Sequence, residues 1–184
     1  MKPTILTASG KYFDFANPAL DSIDIEDIAT ALSRICRFTG HTTQFYSVAQ
    51  HSVHVSYAVP PEYGLQGLLH DAAEAYLGDV SSPLKQLLPE YKVIEERVER
   101  VICKRFGLPF PLHPSIKEAD LRMLVTERRD LMPQPYERQR VVDAVAWSWT
   151  AAIEPLDATI SARTPGSAEL LFLARFKELT APAA

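Results

Sequence analysis

Residues Leu65–Lys85 read LQGLLHDAAEAYLGDVSSPLK. Up to Leu77 the stretch is apolar around most of a helical circumference, the pattern of a central helix buried on several sides. Into it are set His70, Asp71 and Glu74. An ionised carboxylate taken out of water costs on the order of several kcal/mol unless it is paired or bound to a cation. A buried helix carrying these three groups therefore needs a compensating partner, and a divalent cation is the economical one. Imidazole together with carboxylate suits a transition metal such as Mn, Co, Zn, Fe or Ni; magnesium prefers oxygen ligands and keeps its waters. His70 and Glu74 are four apart and share a helix face, while Asp71 lies about 100° further round, within reach of the same ion.

Working outward, Pro61 fits a first helical position and Gly78 the residue past a last one, which predicts one helix from Pro61 to Leu77. Upstream, a helix from about Phe45 to Ala58 stops at Pro60-Pro61 and carries His51 at its middle. Asp21 or Ser22 can cap an earlier helix running to about Phe38, with Ile25, Ile28, Ala29, Leu32 and Ile35 on its core face. The first twenty residues show little helical period and predict an irregular arm or short hairpin. Downstream, Pro83–Leu88 adds a turn or two, Pro89–Phe106 is a helix closed by Gly107, and a further helix from Pro114 or Ser115 to about Met132 carries Asp120. Val141–Ile153 fits strand or helix; Pro155–Pro165 is loop, and Ala168–Leu179 a last helix. The expected fold is all-α, or mainly α: one domain over 1–184, with a core over 21–132 and an accessory remainder over 133–184.

The chain has 184 residues, 47% hydrophobic and 23% charged, with a formal net charge of −4. That balance argues against a general binder of nucleic-acid polymers, which shows a basic stripe. Cys36 and Cys103 lie far apart without a CxxC spacing, as expected of free thiols in a reducing cytoplasm. Neither a secretory leader nor an apolar run of bilayer length is evident, so a cytoplasmic location away from membranes is expected.

The order His51 … His70-Asp71 … Asp120 resembles the H…HD…D signature of the HD-domain metal-dependent phosphohydrolase superfamily. The blocks AQHS, LLHDAAEAYLGDVSSPLK and KEADLRML are similar to those of bacterial 5′-deoxynucleotidases, and RICRFTGHTTQFYSVAQHS to a phage-associated branch that includes dATP triphosphohydrolases. The likeness spans about Asp21 to Met132. It implies a helical HD bundle in which His51, His70, Asp71 and Asp120 hold one divalent metal. It further implies that Glu74 orients or deprotonates the attacking water, that Asp79 assists the water or protonates the leaving oxygen, and that Arg37 clamps phosphate. Lys85 is a second candidate phosphate contact. Two departures stand out: Phe38 occupies the place of a tryptophan in the 5′-deoxynucleotidases, and the spacing from Arg37 to His51 is one residue shorter. Both bear on sugar and base recognition.

Among the remaining histidines, His54 reads as a surface residue or a neighbour of His51, His41 as part of a loop over the pocket, and His113 as structural. Di-iron HD oxygenases need more histidines between the HD pair and the last Asp than His113 alone, so a single metal is expected. Of Tyr12, Phe13, Phe15, Phe45 and Tyr46, any one reads first as core and second as a base-stacking residue. The expected function is hydrolysis of a small (deoxy)nucleotide, dNMP or dNTP, with dATP-like substrates favoured among triphosphates, by a homo-oligomer. Hydrolysis of another phosphate ester, such as a cyclic nucleotide or a nucleotide antibiotic precursor, and non-catalytic nucleotide sensing stay open.

Overall fold

A computed structural model describes residues 2–181. The protein is mainly helical, with one two-stranded antiparallel hairpin, β1 (Thr4–Leu6) and β2 (Tyr12–Asp14). The helices are α1 (Ile25–Arg34), α2 (Val48–Ala58), α3 (Gly64–Leu69), α4 (Glu74–Leu77), α5 (Ser82–Lys85), α6 (Pro89–Phe106), α7 (Pro114–Leu131), α8 (Arg140–Ala146) and α9 (Pro165–Thr180). None of them is long and apolar enough to cross a membrane.

Helix α2 lies at the centre, packed against α1, α3, α7 and α9. It starts on Ser47, whose hydroxyl accepts from Gln50 N, and eight of its residues are buried, His51 among them. The main core gathers Phe13, Ile28, Leu32, Val48, Leu68 and Phe172; a second cluster of Tyr46, Val55, Ile116, Met123, Leu131 and Ile160 fills the space between α2 and α7. Helix α3 comes close to α2 because residue 67 is glycine: a Cβ there would lie 3.1 Å from Ser56 Cα.

Several sequence expectations change. The predicted helix from Pro61 to Leu77 is broken: His70–Ala73 form turns between α3 and α4, with Ala72 N bonding Leu69 O and Glu74 N bonding Asp71 O. The reason is local. Gly67 O, the acceptor Asp71 N would use in a continuous helix, takes a hydrogen bond from His70 Nδ1 at 2.8 Å instead. Helix α1 begins later than expected, capped by Asp24 rather than Asp21 or Ser22, and ends at Arg34, where Cys36 bridges to Ser47. Helix α2 likewise begins three residues after Phe45. In the undecided stretch 141–153, residues up to Ala146 continue α8 and Ser148–Thr150 form a short 3-10 turn.

Residues from outside 21–132 also enter the main core, from both sides of that span. The hairpin is tied down by Ser9, whose N–H and hydroxyl donate to the buried Asp27 carboxylate at 2.6 and 2.7 Å. Phe13 is fully buried and stacks on Tyr76, ring centroids 4.2 Å apart. Helix α9 sinks Ala168 and Phe172 into the main core, and Arg175 donates to Ser56 Oγ and O, each at 3.1 Å. On this helix Leu170 and Leu171 are exposed while the charged Arg175 points inward.

Candidate metal centre

Three separate parts of the chain bring nitrogen and oxygen donors to one place. His51 Nε2, from α2, lies 3.3 Å from His70 Nε2, 3.5 Å from Asp120 Oδ1 and 3.6 Å from Asp71 Oδ2; His70 Nε2 is 3.2 Å from Asp71 Oδ2. One donor atom each from His51, His70 and Asp120 all fall within 4.8 Å of one another. Ligands of one ion at about 2.1 Å sit about 3.0 Å apart at a right angle and about 3.4 Å apart at the tetrahedral angle. The separations of 3.2 and 3.3 Å fall within that range, and those of 3.5 and 3.6 Å lie just above it.

The imidazoles are held with the right edge inward. Gly67 O can only accept, so His70 Nδ1 carries the proton it donates. His51 Nδ1 donates to Glu127 Oε1 at 2.6 Å. Both Nε2 atoms are thereby aimed at each other, an arrangement that a shared proton or cation stabilises. The charges agree. On Asp71 and Asp120 burial works against ionisation, but the two histidines outweigh it and hold both carboxyls far below the usual range. Lys117 adds to this at Asp120, through a 2.8 Å contact to Oδ2.

Around the donors lie three buried polar atoms without a hydrogen-bond partner: Glu74 Oε2, Arg37 Nε and the Tyr46 hydroxyl. Glu74 is 5% exposed; burial first, then Asp71 and Asp79, push its carboxyl up to about 9 against the opposing pull of Lys85 and Arg37. Lys85 Nζ lies 3.6 Å from Glu74 Oε1 but is engaged by Glu95 at 2.5 Å, so it faces carboxylates rather than an open anion site. Asp79 follows Gly78, whose φ of 79° ends α4, and burial raises its carboxyl even with Arg37 nearby.

Arg37 follows α1, its guanidinium 3.0 Å from Glu127 Oε2 and 3.8 Å from Asp71 Oδ2. Phe38, beside it, touches Arg37 in a cation–π contact at 5.5 Å. Phe38 and Thr39 both take the left-handed conformation, φ 52° and 54°, at a cost on the order of 1–2 kcal/mol each. Such strain is kept where a loop must be held in one shape.

The other candidates fall away from the donors. His54 is half-buried, 3.4 Å from Gln50 Nε2, and burial lowers its pKa. His41 is exposed, and His113 caps α7 and stacks on Tyr63 with ring centroids 3.8 Å apart. Of the aromatics, Phe13 and Tyr46 are core residues and Tyr12 is exposed. A residue the sequence reading missed is Glu127. It lies two helical turns beyond Asp120 on the stripe of Ile116, Ala119, Met123 and Leu131, and a carboxylate on a core stripe was the available signal.

A cleft of about 210 Å³ adjoins His70, its walls including Leu69, Ala73, Glu99, Ile102, Cys103 and Phe110. A larger one of about 380 Å³, beside Arg128, Met132 and Trp147, includes none of the donor residues. Volume and chemistry point to different places, and the donors outweigh volume in locating the site.

No family model matches the chain. It is 44% identical over 176 residues to the protein YfdR of Escherichia coli (strain K12), covering 96% of this chain and 95% of that protein. It is also 37% identical over 121 residues to a protein of Rhodobacter capsulatus, covering 60% of this chain and 62% of the relative. Both relatives are described as uncharacterized, so neither description names an activity. Alignment along nearly the whole of both chains shows that this protein belongs to the same family as YfdR.

Proposed function

We propose that the protein is a divalent-metal phosphohydrolase of the HD type acting on a small nucleotide. The observation that carries this reading is the convergence of His51 Nε2, His70 Nε2 and Asp120 Oδ1, with Asp71 Oδ2 beside both imidazoles. Two nitrogens and two carboxylate oxygens suit Mn, Co, Zn, Fe or Ni better than Mg. When bound, such an ion supplies Lewis-acid stabilisation of phosphoryl charge and acidifies a water ligand.

The chain's own residues supply the rest. Arg37, with its Nε unpaired, is the group to receive a phosphoryl oxygen. Glu74 carries a buried, unpaired carboxyl oxygen; a cation bound beside it would oppose the burial that raises its pKa, and the ionised carboxylate would then take the proton of the attacking water. Water oxygen bonds to phosphorus as the P–O bond to the leaving group breaks, and that proton, or one from Asp79, goes to the leaving oxygen. Of the donor residues His70 alone lines the 210 Å³ cleft, which would take an organic group of limited size. Deoxynucleotides, as mono- or triphosphates, are the proposed substrates. Support for a dATP-like triphosphate comes from the RFTGHTTQFYSVAQHS segment alone.

The test is to incubate the metal-stripped protein with Mn²⁺, Co²⁺, Zn²⁺ or Mg²⁺ and a panel of dNMPs, rNMPs and dNTPs, resolving orthophosphate, pyrophosphate and triphosphate by chromatography. Metal-dependent turnover of a deoxynucleotide is expected. Glu74→Gln should keep its metal and lose activity by about 10²-fold or more. Turnover by Glu74→Gln at the wild-type rate would remove Glu74 from the chemistry. Nucleotide binding without any turnover would favour a sensor.

A further inference from the structure

We infer that Glu127 is a positioning residue that ties the cation site to the anion clamp, so that the two are built, and lost, together. The inference rests on the metallohydrolase reading and deepens it by stating how cation and phosphate binding depend on each other. Glu127 is fully buried. Its Oε1 accepts from His51 Nδ1 at 2.6 Å and its Oε2 from Arg37 Nη2 at 3.0 Å. With Nε2 of His51 turned to a cation, Nδ1 is a donor, and a guanidinium is a donor only. Both oxygens must therefore be acceptors, a condition met by an ionised carboxylate and by no amide. A glutamine of the same shape offers one acceptor oxygen and an NH₂ group that would face a second donor. One carboxylate thus sets the tautomer and orientation of a ligand and, through its other oxygen, the position of the arginine. Partners of this kind set ligand affinity: their loss typically weakens metal binding by about 10–100-fold. Arg37 also approaches Asp71 at 3.8 Å, which closes a loop of contacts through both donor residues.

The experiment uses the full chain, stripped of metal, with Co²⁺ and inorganic phosphate as probes. Cobalt affinity is read from its visible spectrum, and phosphate affinity by calorimetry at saturating cobalt. Glu127→Gln, isosteric and checked for an unchanged circular dichroism spectrum, should bind cobalt about 10–100-fold more weakly. Even when loaded, it should bind phosphate more weakly than wild type. A readout that needs no variant is the ¹⁵N spectrum of His51 in the zinc-loaded wild type, where the proton should sit on Nδ1. The inference is overturned if His51 carries its proton on Nε2. It is equally overturned if Glu127→Gln matches wild type for cobalt, or for phosphate at saturating cobalt. If wild type itself takes up no cobalt, the metallohydrolase reading falls with it; if wild type binds and the variant binds equally, only the inference falls.

Discussion

His51 concentrates the electrostatics of the site. Burial and Arg37 both oppose a proton on it, yet Glu127 and Asp120 outweigh them and lift its pKa to about 9. A pKa raised above the unfolded value of about 6.5 contributes stability that is fully present below that value and lost as pH rises through the folded value. The depressed carboxyls of Asp71 and Asp120 act oppositely, stabilising above about 3.8 and losing that contribution on acidification. Chelator-treated protein should therefore lose resistance to urea as pH is raised from 7 to 9.5. A cation must also displace the His51 proton, so metal affinity should rise from pH 6.5 to 9. Calorimetry in buffers of different ionisation enthalpy should show about one proton released per ion near pH 7.5; uptake with none released would contradict the assignment of His51. At this scale the cluster of His51, His70 and Asp120 was legible, because imidazole and carboxylate on apolar helices are costly and therefore conspicuous. Glu127 was missed, since its place on the stripe of Ile116, Ala119, Met123 and Leu131 is masked by the neighbouring charges of KEADLRMLVTERRDL.

At the scale of elements, the join between α3 and α4 does the positioning. Its turns follow from His70 taking Gly67 O for its ring proton, a side-chain contact that no periodicity reports, which is why a continuous helix was expected there. Helix α6 and its Gly107 cap were legible to the residue, because proline at the start and a left-handed glycine at the end have direct backbone causes. Gly67 itself is constrained twice, by its carbonyl and by the approach of α3 to Ser56. A methyl there meets backbone at 3.1 Å rather than a side chain that could swing away. Gly67→Ala should destabilise the protein by about 1–3 kcal/mol in urea titration. It should also weaken cobalt binding by moving His70 away from His51. Unchanged stability and unchanged cobalt affinity together would show that the close approach is not needed.

For the whole molecule, the fold serves to bring residues 51, 70–71 and 120 together around the central helix α2. The helical class was legible from periodicity and breakers. The share of the core supplied by the hairpin and α9 was not: Phe13 and Phe172 enter the core through tertiary packing that short, mixed segments do not announce. The proposed function requires one cation shared by donors from α2, the α3–α4 turn and α7. Crystals grown with Mn²⁺ and measured at its absorption edge test that directly. The expected result is a single anomalous peak about 2.0–2.3 Å from His51 Nε2, His70 Nε2 and carboxylate oxygens of Asp71 and Asp120. A map without a peak between those four side chains, or with manganese bound only elsewhere, would contradict it.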